Sequence, residues 1–517
     1  MSDADDRGIT VTTIAPMGEP IDVSSDSTAA FIGRALRGPL NTPILVHNFA
    51  AFRRRFGGHW HRSSLGPAVR QFFDHGGREL YVVRVANSAR GAMICLPAKG
   101  GFLVLRALEP GSTENIRAAI DYDGIDAEDE RHFNLTIQRV APDSGLVVDQ
   151  EIYRKLSCVD DDWAFIGDAL LSSSLVRAQL PLPPGRPKQT RNPGPEYNST
   201  YIGHAQQGTD GVALSDYDLI GSAGRGTGLF ALNQVEHFDL LYMPPPGRHM
   251  DLGPAAVLAA ELYCRRRGAM LIMDPPESWT SAREAVIGAR EAGYSSPNIL
   301  SYYPRMYSRF DDEHTPRATG AAIAGLLCKL DSFVGPWQDL DQRAFGFSRE
   351  LIPATAVPID DARLLVKEGL NVIAGNTAGR ATLCGSVTLG RGIQMERSYS
   401  SLTVRRLCLS ITNAIDRATR WAVFEPDAAS VAERIQSQVH AYMCYLADAG
   451  ALVDDGFLVQ CNTGLHSYPV NPDRGITILL GFHPVGSDEP VSLTIHQTVS
   501  GCRVATTAFA PADAEVA

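Results

Sequence analysis

The 517-residue sequence has no run of about 18 apolar residues, the minimum for a transmembrane helix. Its first residues, Met1-Ser2-Asp3-Ala4-Asp5-Asp6-Arg7, are acidic and polar. They lack the basic and apolar regions of a secretory signal, so export would need lysis or a particle. The nine cysteines are an odd number and contain no Cys-x-x-Cys pair. Metal-ligand spacing is therefore missing, and reduced thiols packed as small core residues in a cytosolic product are expected. An excess of positive charge is also missing: the formal net charge is −11. That argues against nucleic acid as a bulk partner, because phosphate binding needs basic surface. Neither a Gly-x-Ser-x-Gly elbow nor a His-Glu-x-x-His pair occurs.

What is present reads as a globular protein with a substantial core. Hydrophobic content is 44% and charged content 20%, both ordinary. The length suits about two to four domains. Strands alternate with helices, giving a mixed α/β class with a mostly parallel sheet. Residues 1–27 read as an arm in which Ile9, Val11 and Thr13 form a β-branched strand. Residues 28–90 read as βαβ, with a helix stop at Gly76-Gly77 and a buried strand at Leu80–Val85. Residues 91–200 read as an inserted, mostly β module that closes on six prolines between 181 and 195. Residues 201–340 read as an inserted α/β domain. Residues 341–517 bring two amphipathic helices and then strands. In the last of these, Val491, Leu493, Ile495 and Val499 alternate with polar residues, a half-buried antiparallel pattern.

Candidate chemistry is sparse. Gly221-Ser-Ala-Gly-Arg-Gly-Thr-Gly228 is the one stretch with the glycines of a phosphate cradle. It lacks the lysine of the Walker pattern, so a surface loop is the simpler reading and a nucleotide-binding α/β enzyme the alternative. His59-Trp60-His61 has no third ligand nearby in sequence. Asp160-Asp161-Asp162 and Asp311-Asp312-Glu313 lack the alternating ligands and turn glycine of a Ca²⁺ loop. No cofactor, metal or catalytic residue is expected.

The most informative stretch is 402–426. Val404, Leu407, Ile411, Ile415, Ala418 and Trp421 recur at steps of three and four, one apolar helix face. Arg405, Arg406, Arg417 and Arg420 lie off that stripe, opposed only by Asp416, and Pro426 ends the run. Taken alone, these arginines read as a solvated face. The wording from Val404-Arg-Arg-Leu407 through Ala418-Thr-Arg-Trp-Ala-Val-Phe-Glu-Pro426 resembles the signature of contractile tail sheath proteins. These form the outer sheaths of myophage tails, R-type pyocins and extracellular contractile injection systems. A second stretch resembles the same family: Thr28-Ala-Ala-Phe-Ile-Gly-Arg-Ala35, Arg37-Gly-Pro-Leu-Asn41, Phe56-Gly-Gly58, Ala68-Val-Arg-Gln-Phe-Phe-Asp-His-Gly-Gly77 and Tyr81-Val-Val-Arg-Val85. The resemblance is clear over about 25–90 and 340–500 and looser between. One departure is the N-terminal strand, which here begins Gly8-Ile9-Thr10-Val11 where family members often carry Pro-Gly-Val-Tyr.

The resemblance implies a non-enzymatic structural subunit that polymerises helically around an inner tube and contracts to drive it through a target envelope. It groups 28–90 with 341–517 as a sheath core domain. It implies exchange of the N-terminal arm (Ile9, Val11, Thr13) and the C-terminal strands (Val491, Leu493, Ile495, Val499) between neighbours. Arg405, Arg406, Arg417 and Arg420 would face the tube. The implied partners are further copies of the chain, the inner tube protein, baseplate and terminator or cap proteins, and sister sheath proteins. Neither nucleic acid nor membrane insertion is implied. Assembly in the bacterial cytoplasm, followed by residence in a virion or extracellular particle, is the implied location.

Overall fold

Long apolar runs dictate the centre of this molecule. Ala29–Gly33 (β1), Leu80–Arg84 (β3), Leu240–Tyr242 (β10), Met270–Met273 (β11) and Ile299–Tyr303 (β12) are almost entirely buried. Strands of that composition need cover on both faces, as a parallel sheet between helix layers provides. The computed structural model describes residues 20–23, 26–142, 144–190, 200–247, 249–309, 315–340, 346–375, 381–390, 400–424, 428–453, 456–462, 475–498 and 501–506.

Eight strands form the central sheet. To those above it adds Ile44–Val46 (β2), Asn371–Gly375 (β15) and Ala381–Cys384 (β16), in the order β16-β15-β12-β11-β10-β1-β3-β2. The six inner strands are parallel, and the edge strands β2 and β16 pair antiparallel. Alternate side chains feed two cores. Phe31, Val82, Tyr242 and Ile272 meet Phe49–Phe56 (α1), Leu65–Asp74 (α2) and Gly320–Phe333 (α7). Ile32, Val83, Leu241 and Leu271 meet Asp216–Ile220 (α4), Pro254–Arg267 (α5), Ala282–Ala292 (α6) and Ile359–Lys367 (α8).

Local signals delimit these helices. Asn48 caps α1 by accepting the Ala51 amide hydrogen, and left-handed Gly57 ends it. Ser281 and Glu284 form a capping box on α6, with left-handed Gly293 behind it. Helix α7 is buried along nearly all its length. A Cβ on Gly325 would sit 2.3 Å from the Phe72 carbonyl oxygen, so only glycine allows α7 to approach α2 this closely.

Between β3 and β10 the chain builds two antiparallel three-stranded sheets. One holds Gly91–Ala98 (β4), Gly101–Pro110 (β5) and Val176–Ala178 (β9); the other holds Ile116–Asp121 (β6), Phe133–Val140 (β7) and Val147–Leu156 (β8). They enclose a core of their own, with Ile94, Leu105, Leu135, Ile137 and the one-turn helix Ile166–Ala169 (α3). Met306–Ser308 (β13) and Leu351–Pro353 (β14) form a small antiparallel pair. The last unit has Leu402–Thr419 (α9) and Ala428–Asp448 (α10) packed on a four-stranded antiparallel sheet. Its strands are Leu458–Asn462 (β17), Gly475–Phe482 (β18), Val491–Thr498 (β19) and Gly501–Thr506 (β20), in sequence order.

Two boundaries differ from the sequence reading. Strands from 28–90 and from 201–340 sit in one sheet, so the second segment is not an inserted domain. Parallel pairing joins strands distant in sequence, which adjacency along the chain does not reveal. Within 341–517, β15 and β16 join the sheet that holds 28–90, whereas the α9–β20 unit has a core of its own.

Candidate functional site

The site suggested by sequence is the basic face of α9, and the structure divides it. Val404, Leu407, Ile411 and Ile415 enter the core beneath the four-stranded sheet, as the stripe demands. Leu402 and Leu409 pack on the opposite side, against the core under α7. Helix α9 is thus wedged between two bodies over its first half. Arg406 is 5% exposed and forms an ion pair with Asp331 of α7, which is fully buried. A guanidinium held there cannot face a tube, which corrects the expectation for Arg406. Arg405 is half-buried and donates to Asn298 Oδ1 at 2.8 Å, so it too serves internal packing. Burial raises the Asp331 carboxyl, and Arg406 and the Ser27 hydroxyl counteract that in part.

The second half of α9 is also largely covered, and exposure begins at Arg420, just past its end. Arg420 is half exposed and donates to Asp416 Oδ2 at 2.7 Å and to Glu236 Oε1 at 3.5 Å. Arg417 is partly buried beside a polar cavity of about 170 Å³ that also borders Asp22, Asp26, His237, Asp239 and Asn413. Burial alone would raise Asp239, but hydrogen bonds from His237 and the Thr28 amide, with the charge of Arg417, bring it below the ordinary carboxylate value. Sequence reasoning missed Asp331. The available signal was a single acid inside the apolar run of α7, which calls for a cationic partner.

The strand candidates divide similarly. Val491, Leu493 and Ile495 point into the core from β19. That strand is hydrogen-bonded on both sides within its own chain, Leu493 opposite Leu480 on one and Thr506 on the other. A strand flanked this way has no free edge, so among the described residues the edges of this sheet are β17 and β20. Sequence reading did not find β20, although Ser500-Gly501 is a turn dipeptide leading into it. Ile9, Val11, Thr13 and Val499 lie outside the described residues.

The glycine-rich loop is already occupied by its own chain. The Gly221 amide donates to Tyr217 O, Ser222 to Thr227 Oγ1, Gly226 to Ala223 O, Thr227 to Ser222 O and Gly228 to Asn41 Oδ1. A nest needs several amides aimed outward, and these aim inward. Calorimetry with Mg-ATP should give no binding heat; a saturable isotherm would revive the nucleotide-enzyme alternative. His59 sits near Phe49, its pKa lowered by burial and by Arg70 and Arg317, which does not favour a cation there. Among the described residues no three His, Cys, Asp or Glu side chains are grouped to hold a metal. Asp311-Asp312-Glu313 lie outside the described residues. No described helix is long and apolar enough to cross a membrane.

No family model matches the chain. A tail sheath protein of Vibrio phage KVP40 is 23% identical over 294 residues, which span 54% of this chain and 41% of the phage protein. The chain thus matches less than half the length of that relative. The fold extends further. A sheath tail protein from Listeria innocua superposes with a TM-score of 0.62 over 93% of this chain and 97% of its own, at 13% identity. The PVC sheath complex of an extracellular contractile injection system, in the contracted state, gives 0.53 over 94% and 96%, at 14% identity. The helical sheath of the anti-feeding prophage, also contracted, gives 0.52 over 94% and 98%, at 14% identity. This chain therefore has the fold of contractile tail sheath proteins, and it shares sequence with one of them.

Proposed function

We propose that this chain is a structural subunit of a contractile sheath, one that polymerises helically around an inner tube and shortens to drive the tube through a target envelope. The observation that carries this reading is the extent of the match: nearly all of this chain corresponds to nearly all of proteins named as sheath components. The reading is non-enzymatic. It gives the chain copies of itself as the main partner, with an inner tube and baseplate and terminator proteins at the surfaces and ends.

Two features of the chain support it. The four-stranded sheet ends on β20, an edge strand that could leave its own β19 and pair with the equivalent sheet of a neighbour. Such a contact is heterologous, and repeated without closure it generates a helix. Of the four arginines, Arg420, half exposed just past the end of α9, and Arg417, beside the polar cavity, are the two left to hold an acidic tube surface by charge. Sedimentation of the purified chain should show polymers whose size grows with concentration. A sharp small oligomer at every concentration would contradict the proposal.

A further inference from the structure

The chain's N-terminal segment is fastened before it reaches the sheet. Ile21 is 4% exposed and belongs to the same hydrophobic core as Trp337 and Val404. The Ser27 hydroxyl then donates to Asp331 Oδ2 at 2.5 Å. That same oxygen receives Arg406 Nη2. The next amide, Thr28 N, donates to Asp239 Oδ2 at 2.8 Å, and β1 begins at Ala29. Three elements far apart in sequence therefore converge on one carboxylate: the N-terminal segment, α7 beneath the central sheet, and α9 of the C-terminal unit. Asp331 is fully buried in a mostly apolar helix, a costly place for an acid unless it serves as a junction.

We propose that Asp331 and Arg406 are positioning residues that fasten the N-terminal segment at Ser27, and that load on the N-terminal arm enters the molecule at this lock. The second clause rests on the sheath reading, in which a neighbour holds the arm during contraction. Helix α7 shares its core with Phe31, Tyr242 and Ile272 of the sheet, and α9 carries the C-terminal unit. A pull on the arm would thus be shared between the rigid sheet and the C-terminal unit instead of stripping β1 from its neighbours β3 and β10.

The experiment uses two variants of the full chain. Ser27→Ala removes one donor and leaves the Asp331–Arg406 pair in place. Asp331→Asn weakens both bonds. Amide hydrogen exchange on the unassembled chain should show residues 26–29 exchanging about tenfold faster in Ser27→Ala, with β3, β10 and β11 unchanged, because local opening is read separately from global unfolding. Asp331→Asn should show a larger rise that extends into α9. A merely structural role for the pair would leave Ser27→Ala indistinguishable from the parent chain, and that result overturns the proposal. Cylinders built from Ser27→Ala chain with the tube should break into short rings on contraction while parent cylinders stay continuous. Faster exchange with continuous cylinders overturns the load path. Failure of the parent chain itself to form cylinders overturns the sheath reading and the load path with it, while the exchange data still report on the fastening.

Discussion

Replacing Arg84 by methionine is expected to cost about 3–5 kcal/mol of folding free energy, the range for stripping a buried cation from its partners. Arg84 ends β3 and is 1% exposed. Its guanidinium donates to four backbone carbonyls: Ala35 O at 3.0 Å, Gly38 O at 2.5 Å, Leu36 O at 3.3 Å and Pro110 O at 2.7 Å. Three of these belong to the turn after β1 and one to the end of β5, so a single side chain ties the central sheet to the inserted β module. Burial pushes Arg84 down to about 10, and Glu109, Asp210 and Glu114 nearby hold it charged at neutral pH. Methionine fills the volume but leaves four carbonyls without their donor. Lysine should fall between, because one ammonium cannot span four acceptors that a planar fork can reach. A urea titration of each variant gives the result. A midpoint unchanged in Arg84→Met would mean that water replaces the guanidinium at no cost, and the junction would need another explanation.

The second large effect concerns assembly. Arg420→Gln combined with Arg417→Gln should remove tube-bound cylinders while leaving the subunit folded. Glutamine is used because a carboxylate would stand near Asp239, Asp22 and Asp26 at 417 and against Asp416 and Glu236 at 420. The pairs lost from Arg420, to Asp416 and Glu236, are solvent-screened, and their removal should cost at most about 1 kcal/mol. Binding is another matter, since on the proposed reading the same charges would repeat in every subunit around the tube. Cylinders that form around the tube at parental yield would place the tube contact elsewhere.

Much of the fold was legible because its signals are local. A continuous apolar run marked β3, and the stripe Val404-Leu407-Ile411-Ile415 faces a core as its period requires. What was not legible is long-range pairing. The sheet places β10 beside β1 across the whole inserted module, and no local pattern encodes that choice. The candidate site failed at the same point. Arg405 and Arg406 lie off the apolar stripe and read as exposed, but α9 touches a second body through Leu402 and Leu409. A helix between two cores has two buried faces, and a single-stripe analysis reports one. Asp331 and Arg406 are 75 residues apart, so their bond has no signature in sequence beyond the oddity of each. Likewise the alternation in Val491–Thr498 correctly gave a half-buried strand but could not say that both of its edges were taken.

Negative-stain electron microscopy of the chain co-expressed with its tube protein tests the sheath reading most directly. The account predicts striated hollow cylinders wider than the tube, in one or two discrete lengths. Discrete globular particles at high concentration, with bare tubes beside them, would contradict it.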